Sequence, residues 1–178
     1  ILFLATIIVI AGAIYYLESM KIDTVVATDG DENLSFVRPD KPPLKEGKYL
    51  LAPELTGIAG YINTEDKEIK LSDYEGKVVL VDFWTYSCVN CLRTLPYLNS
   101  WDEKYRNDGL VIVGVHSPEF AFEEKKENVE KAVKRYNIRY PVVQDNTHQT
   151  WAAYQNRFWP RKYLIDSEGY IRYDHIGE

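Results

Sequence analysis

Cys88-Val89-Asn90-Cys91 is the stretch of this 178-residue chain whose residue types and spacing are best suited to chemistry. Two thiols three residues apart on a helix face the same side, so the first can meet solvent while the second lies one turn deeper. The pair follows an apolar run and opens an amphipathic one, which places it past the end of a strand and at the start of a helix. Unpaired N–H groups and the positive helix end at that junction favour a thiolate, the nucleophile of disulfide exchange. Cys88 is therefore expected to attack, and Cys91 to resolve the mixed disulfide. The same side chains could instead form half a zinc site or an inert bridge. Because the chain has just these two cysteines, a four-cysteine zinc site and a multi-disulfide scaffold are excluded by counting.

The elements that must position the pair follow from apolar periodicity. Lys77 to Trp84 (KVVLVDFW) is a β-branched and aromatic run, the pattern of a central strand buried on both faces, and Leu110 to His116 (LVIVGVH) is a second. Between them, Leu92, Leu95, Leu98, Trp101 and Tyr105 recur at three- and four-residue spacing, which predicts a helix with one buried stripe and a kink at Pro96. Strand, helix and strand of these lengths join parallel neighbours by a right-handed crossover. Glu123 to Tyr136 predicts a solvated covering helix, with Val129, Ala132, Val133 and Tyr136 on its inner face. Pro141 to Val143 reads as a short strand and Thr150 to Tyr154 as a short helix. Lys162 to Ile165 and Tyr170 to His175 read as a hairpin around Asp166-Ser167-Glu168-Gly169. The fold class is α/β, with a central mixed sheet and helices on both faces. Trp84, Trp101 and Trp151 read as core.

Val79-Leu80-Val81-Asp82-Phe83-Trp84, followed by Cys88-Val89-Asn90-Cys91 and later by Gly114-Val115-His116-Ser117-Pro118-Glu119-Phe120, closely resembles the thioredoxin superfamily, in its DipZ-type, TlpA- and ResA-related membrane-tethered branch. The resemblance covers about Ile69 to Glu178. It implies a thioredoxin-like fold and a thiol-disulfide oxidoreductase working outside the cytoplasm on protein thiols and disulfides, with cytochrome c maturation or disulfide repair among its tasks. A membrane electron-transfer protein would then be the redox donor. It also implies that Asp82 is the buried carboxylate beneath the dithiol, able to take or return the resolving thiol's proton, a task suited to a carboxyl whose pKa burial has raised. Pro96 matches the helix proline, and Pro160, preceded by Trp159, matches the cis-proline facing the dithiol. No cofactor is called for beyond the redox-active Cys88–Cys91 pair. Ser87 stands where a tryptophan is usual, Val89-Asn90 replaces Gly-Pro, and Thr94 occupies the place of an acid in ResA-like reductases. Asp82 must therefore act alone or share its task, with Glu119 a candidate, though Glu119 could equally start a helix. His116 is a second candidate beside the site, or hydrogen-bonded scaffold. Trp159, Phe158 and Tyr86 could form an apolar platform for a partner segment, with Arg157, Arg161 and Lys162 as loop charges around it.

Ile1 to Leu17 carries no charge and reads as a transmembrane anchor at residues 1–19, its start truncated. Tyr15 and Tyr16 suit a membrane interface, and the acidic flank from Glu18 to Ser35 reads as the extracytoplasmic side. Residues 20–48 read as a tether and 49–178 as the folded domain, with a C-terminal helix expected after Glu178. The net charge of -6 is the wrong sign for gripping phosphate backbones, so nucleic acid is not expected as a partner. A rival reading is a Sco-type copper(I) metallochaperone using Cys88 and Cys91 with His175 or His148. A peroxidase of the peroxiredoxin kind would need a threonine-proline setting around a single cysteine, which the chain lacks.

Overall fold

A computed structural model describes residues 41–65 and 67–178. The anchor at 1–19, its orientation, and the tether as far as residue 40 lie outside the described residues. Six strands form the main sheet: β3 (Gly60–Ile62), β4 (Val78–Trp84), β5 (Leu110–His116), β6 (Val142–Gln144), β7 (Arg161–Ile165) and β8 (Ile171–Ile176). Their spatial order is β3-β6-β5-β4-β7-β8. β4, β5 and β6 run parallel, while β3 pairs antiparallel with β6, β7 with β4 and β8 with β7. The mixed sheet expected from the sequence is thus present, with β4 at its centre.

Side chains on β4 point alternately to the two faces and build two cores. Leu80 and Trp84 join Ile112 and Val142 under helix α1 (Val89–Tyr105) and helix α2 (Lys126–Arg135). Val79, Val81 and Phe83 join Val113, Val115 and Tyr163 on the other face, beside the short helix α3 (Gln149–Ala153). The physical reason is chirality. β4 to β5 and β5 to β6 step in the same direction across the sheet, so right-handed crossovers put α1 and α2 on one face; α3, on the return to the antiparallel β7, packs on the other. Gly114 on β5 gives Trp84 room, since a Cβ there would lie 3.0 Å from the indole Nε1 and 3.2 Å from Val142.

Two expectations need correction. Trp101 and Tyr105 are not core: they are 41% and 39% exposed. The buried side of α1 is Cys91, Thr94, Leu95, Leu98 and Asp102, which keeps the 3.6-residue period, whereas Tyr97, Trp101 and Tyr105 form an adjacent stripe. That stripe lines an open apolar groove of about 520 Å³ with Leu80, Leu164 and Tyr173. The second correction concerns Glu123 to Tyr136, which is a 3-10 turn, Ala121–Glu124, followed by α2, with Glu123 fully buried instead of solvated. α1 itself runs unbroken through Pro96, where the missing N–H leaves the Leu92 carbonyl without its helical partner.

Residues 41–48, read from sequence as the end of the tether, are folded against the sheet. β1 (Leu44–Lys45) pairs with β2 (Tyr49–Leu50), Leu51 bridges to Tyr170, and the Tyr170 hydroxyl donates to the Pro42 carbonyl at 3.0 Å. Lys41 and Lys45 pair with Glu75 and Glu168. Composition hid this hairpin because its apolar content is low and its anchors come from the distant 166–170 turn.

Leu98 is fully buried between α1 and the sheet. Leu98→Ala is expected to cost about 2–5 kcal/mol, through lost transfer energy and a residual cavity. Urea unfolding of the two proteins measures it, and an unchanged midpoint would show that this stripe does not carry the packing.

Candidate active site

The site begins where β4 runs out. Trp84 ends the strand, Thr85-Tyr86-Ser87 turns the chain, and Cys88 is the N-cap of α1, with φ -74° and ψ 109°. A helix start leaves four N–H groups unpaired, and here the cap is a sulfur: Cys88 Sγ accepts the Cys91 N–H at 3.2 Å. The Cys88 N–H itself donates to the Thr85 carbonyl at 3.3 Å, which closes the turn. Both cysteines are free thiols; Cys88 is half-buried and Cys91 fully buried. Burial pushes the Cys91 thiol well above the usual range, its hydrogen bond with Cys88 and the nearby Asp82 act the same way, and the Thr85 backbone opposes them. The pair is therefore unequal. One sulfur can meet a partner, and the other is held as a thiol behind it.

Asp82 shares the inward face of β4 with Leu80 and Trp84, and it is fully buried. Neither carboxylate oxygen has a hydrogen-bond partner, and Lys162 Nζ lies 3.5 Å from Oδ1. Burial pushes the Asp82 carboxyl up to about 6, with Lys162 opposing. Lys162 is not one of the solvated loop charges that the sequence suggested. It is a β7 residue, buried, and paired across the ladder with Asp82. Arg161 does carry a surface charge, bonded to Asp174 on β8.

The ladder also locates Pro160. Phe83 pairs with Arg161, so the preceding Pro160 lies at the same end of the strands from which the chain enters the dithiol turn. The Trp159–Pro160 peptide bond is cis, as the resemblance implied. Trp159 is half-buried; its indole N–H donates to the Ser117 carbonyl at 3.0 Å, and its ring lies 4.2 Å from that of Trp151. Phe158 beside it is exposed. Cys88, Tyr86 and Trp159 all pack at the rim of the same apolar cluster.

The remaining candidates lie on the β5 side. His116 is fully buried, with Nε2 3.3 Å from Thr85 Oγ1, its ring stacked on Tyr86 at 5.5 Å and set edge-on to Trp84 at 5.3 Å. Burial holds it down to about 4, against the pull of Glu123, so it is neutral at pH 7 and supports the 85–87 turn. Glu119 is exposed, and its backbone N–H donates to Glu123 at 2.7 Å.

Sequence reasoning missed Glu123. Its Oε1 accepts from the Ser87 hydroxyl at 2.6 Å and the Ser87 N–H at 3.2 Å, while Oε2 accepts from the N–H groups of Glu119 and Phe120 at 2.7 and 3.0 Å. Burial alone would raise this carboxyl, but the bonds from Ser87, Thr85 and the two backbone groups outweigh it and hold Glu123 below the usual range. Its position three residues after Phe120, where a capping acid belongs, was the available signal.

Comparison with known proteins bears on what this geometry is. Residues 51–174 match the AhpC/TSA family model. The chain belongs to the AhpC/TSA family. It is 48% identical over 128 residues to Protein DipZ of Mycobacterium tuberculosis (strain CDC 1551 / Oshkosh), covering 71% of this chain and 18% of that protein. It is 30% identical over 125 residues to the thiol-disulfide oxidoreductase YkuV of Bacillus subtilis (strain 168), covering 70% of this chain and 82% of that one. Among solved structures, a putative thiol:disulfide interchange protein DsbE from Chlorobium tepidum superposes with a TM-score of 0.62 at 28% identity, covering 71% of this chain and 83% of that one. The chain thus spans about a fifth of the DipZ proteins it matches, and its thioredoxin-like domain groups with the thiol-disulfide oxidoreductases of the family.

Asp82 provides a pH signature. Its carboxyl is raised from 3.8 to about 6 by folding, so its contribution favours the native state below pH 4 and is lost as pH rises through 6. Asp82→Asn removes that loss. The variant's stability relative to the parent should rise by about 2 kcal/mol between pH 4 and pH 7. Urea titrations at the two pH values give the difference; a flat one would show that Asp82 ionises as freely in the folded state as in the unfolded.

Proposed function

We propose that the domain exchanges its Cys88–Cys91 dithiol with disulfides of protein partners. The observation that carries this reading is the unequal pair: a half-exposed sulfur capping a helix, and a sealed thiol one turn behind it on the side of Asp82. The Cys88 thiolate attacks one sulfur of the partner disulfide. That S–S bond breaks, a mixed disulfide forms, and the partner's other sulfur leaves and takes up a proton. Cys91 then loses its proton to the Asp82 carboxylate and attacks Cys88 Sγ, releasing the second partner thiol. Two electrons pass to the partner, and a Cys88–Cys91 disulfide remains. The reverse sequence oxidises a partner dithiol, and no cofactor beyond the two cysteines takes part. Tyr86 and Trp159, which pack with Cys88 on one apolar cluster, and the buried Pro160 that precedes β7 would form the face that receives the partner. Lys162 biases the proton on Asp82 through its ion pair, a role for which its 3.5 Å approach is the support.

The reading extends to place and partners. Among the described residues no helix is long and apolar enough to cross a membrane; the uncharged stretch from Ile1 to Leu17, outside them, supports an anchor with the domain on the extracytoplasmic side. There a membrane electron-transfer protein would renew the dithiol, and cytochrome c maturation is one task that the thioredoxin-superfamily resemblance implies. The copper(I) reading has less support. Among the described residues no three His, Cys, Asp or Glu side chains are grouped to hold a metal ion, and His148 instead packs edge-on against Trp151 and Trp159.

The expected result is a trapped intermediate. Cys91→Ser, incubated with a disulfide-bearing protein and analysed by mass spectrometry, should carry the partner on Cys88, while Cys88→Ser carries none. Stoichiometric copper(I) binding with no thiol exchange would overturn the reading in favour of a metallochaperone.

A further inference from the structure

The loop after β5 presents two phenylalanines to solvent beside the dithiol turn. Phe120 and Phe122 are 48% and 51% exposed, and their rings stack at 5.4 Å with planes 7° apart. Exposed large aromatic rings carry a free-energy cost in water that burial relieves, and a folded domain rarely clusters them without a contact to make. These two are also held in place. The Phe120 N–H donates to Glu123, and the Phe122 carbonyl accepts from the Tyr86 hydroxyl at 3.0 Å and from Asn128 at 2.8 Å. The Tyr86 ring lies 6.2 Å from that of Phe122 and rests on His116. Glu123 ties the same loop to Ser87, the residue before the attacking cysteine. Ser117, at the loop's other end, accepts from Trp159. One buried carboxylate, the Tyr86–Phe122 hydrogen bond and the Tyr86–Phe122 ring contact thus tie the loop that carries the two rings to the turn that carries Cys88. Fixed rings bind at low entropic cost.

We propose that Phe120 and Phe122 form a subsite for an apolar side chain next to the cysteine of an extended partner segment, so that the domain prefers disulfides flanked by bulky apolar residues. The inference rests on the exchange reading above and adds substrate selection to it. Continuity with the dithiol favours a peptide segment over other occupants: the Phe122 ring meets Tyr86, which packs with Cys88 on one apolar cluster, and Val89, next to Cys88, is exposed. Exposed Glu119, Glu124 and Lys125 rim the rings with charges of both signs, an arrangement that suits a protein segment better than a lipid surface.

The test uses the reduced full chain and chromogenic peptide probes whose single cysteine is in mixed disulfide with thionitrobenzoate, flanked either by leucine or by glycine. The thionitrobenzoate released on attack by Cys88 gives the second-order rate constant. The parent should react about tenfold faster with the leucine probe, the scale of one or two well-buried apolar groups. Phe120→Ser/Phe122→Ser should bring the leucine probe down to the glycine rate while leaving the glycine probe and free dithionitrobenzoate within about twofold, and Phe120→Leu/Phe122→Leu should keep the preference. A parent without preference, or a serine variant that retains it, overturns the subsite. An equal loss on every probe, the small disulfide included, assigns the rings to holding the turn and also overturns it. So does a dimer that the serine variant dissolves while the probe preference stays. A parent that reacts with no probe at all overturns the exchange reading itself, which separates the two failures.

Discussion

The hydrogen bond from the Cys91 N–H to Cys88 Sγ is the contact on which the rest of the domain depends. It exists because a buried parallel strand ends at Trp84 and a helix is capped four residues later, so the first orphan N–H groups of that helix point at whatever side chain caps it. Sulfur in the cap position places the reactive atom at the positive end of α1. The helix period then sends the second cysteine inward, onto the same face as Leu95 and Leu98, where it is sealed. The difference between the two thiols is therefore a consequence of one strand-to-helix junction. Everything around it keeps that junction still: the ladder of β4 with β5 and β7, the apolar cluster beneath α1, and the side chains that grip residues 85–87.

Much of this was legible because it is local. The run from Val79 to Trp84, the spacing of Cys88 and Cys91, and the hairpin around Asp166 to Gly169 are set by side-chain period and turn residues within a few positions of each other. The cis bond before Pro160 was legible through resemblance alone. What escaped depends on register between distant segments. Lys162 looks like any basic residue after a loop until β7 is paired with β4, and one residue of slip would send it to the opposite face. Glu123 sits in a run of five charged residues, Glu123-Glu124-Lys125-Lys126-Glu127, and only its spacing of three from Phe120 marks it as the one that turns inward. Trp101 and Tyr105 misled for another reason: on a helix, two apolar stripes side by side share the spacing of one.

Asp82 and Glu123 show how the same functional group is put to different uses by its surroundings. Both are carboxylates with no exposed surface, one on the strand that leads into the dithiol turn and one on the loop beside it. Asp82 accepts no hydrogen bond, and the single opposite charge facing it is 3.5 Å away, so desolvation dominates and the neutral acid is stabilised up to about pH 6. Glu123 accepts four bonds, from Ser87 twice and from two consecutive backbone N–H groups, and these outweigh its own, shallower desolvation. A group poised near neutrality can exchange a proton with a thiol during turnover; one held ionised cannot, but it can act as a strut whose bonds persist at every working pH. Exchanging the two environments would leave the dithiol with a fixed charge beneath it and a turn whose anchor lets go on protonation. Four hydrogen bonds against none, together with the shallower burial of Glu123, set the two carboxyls apart.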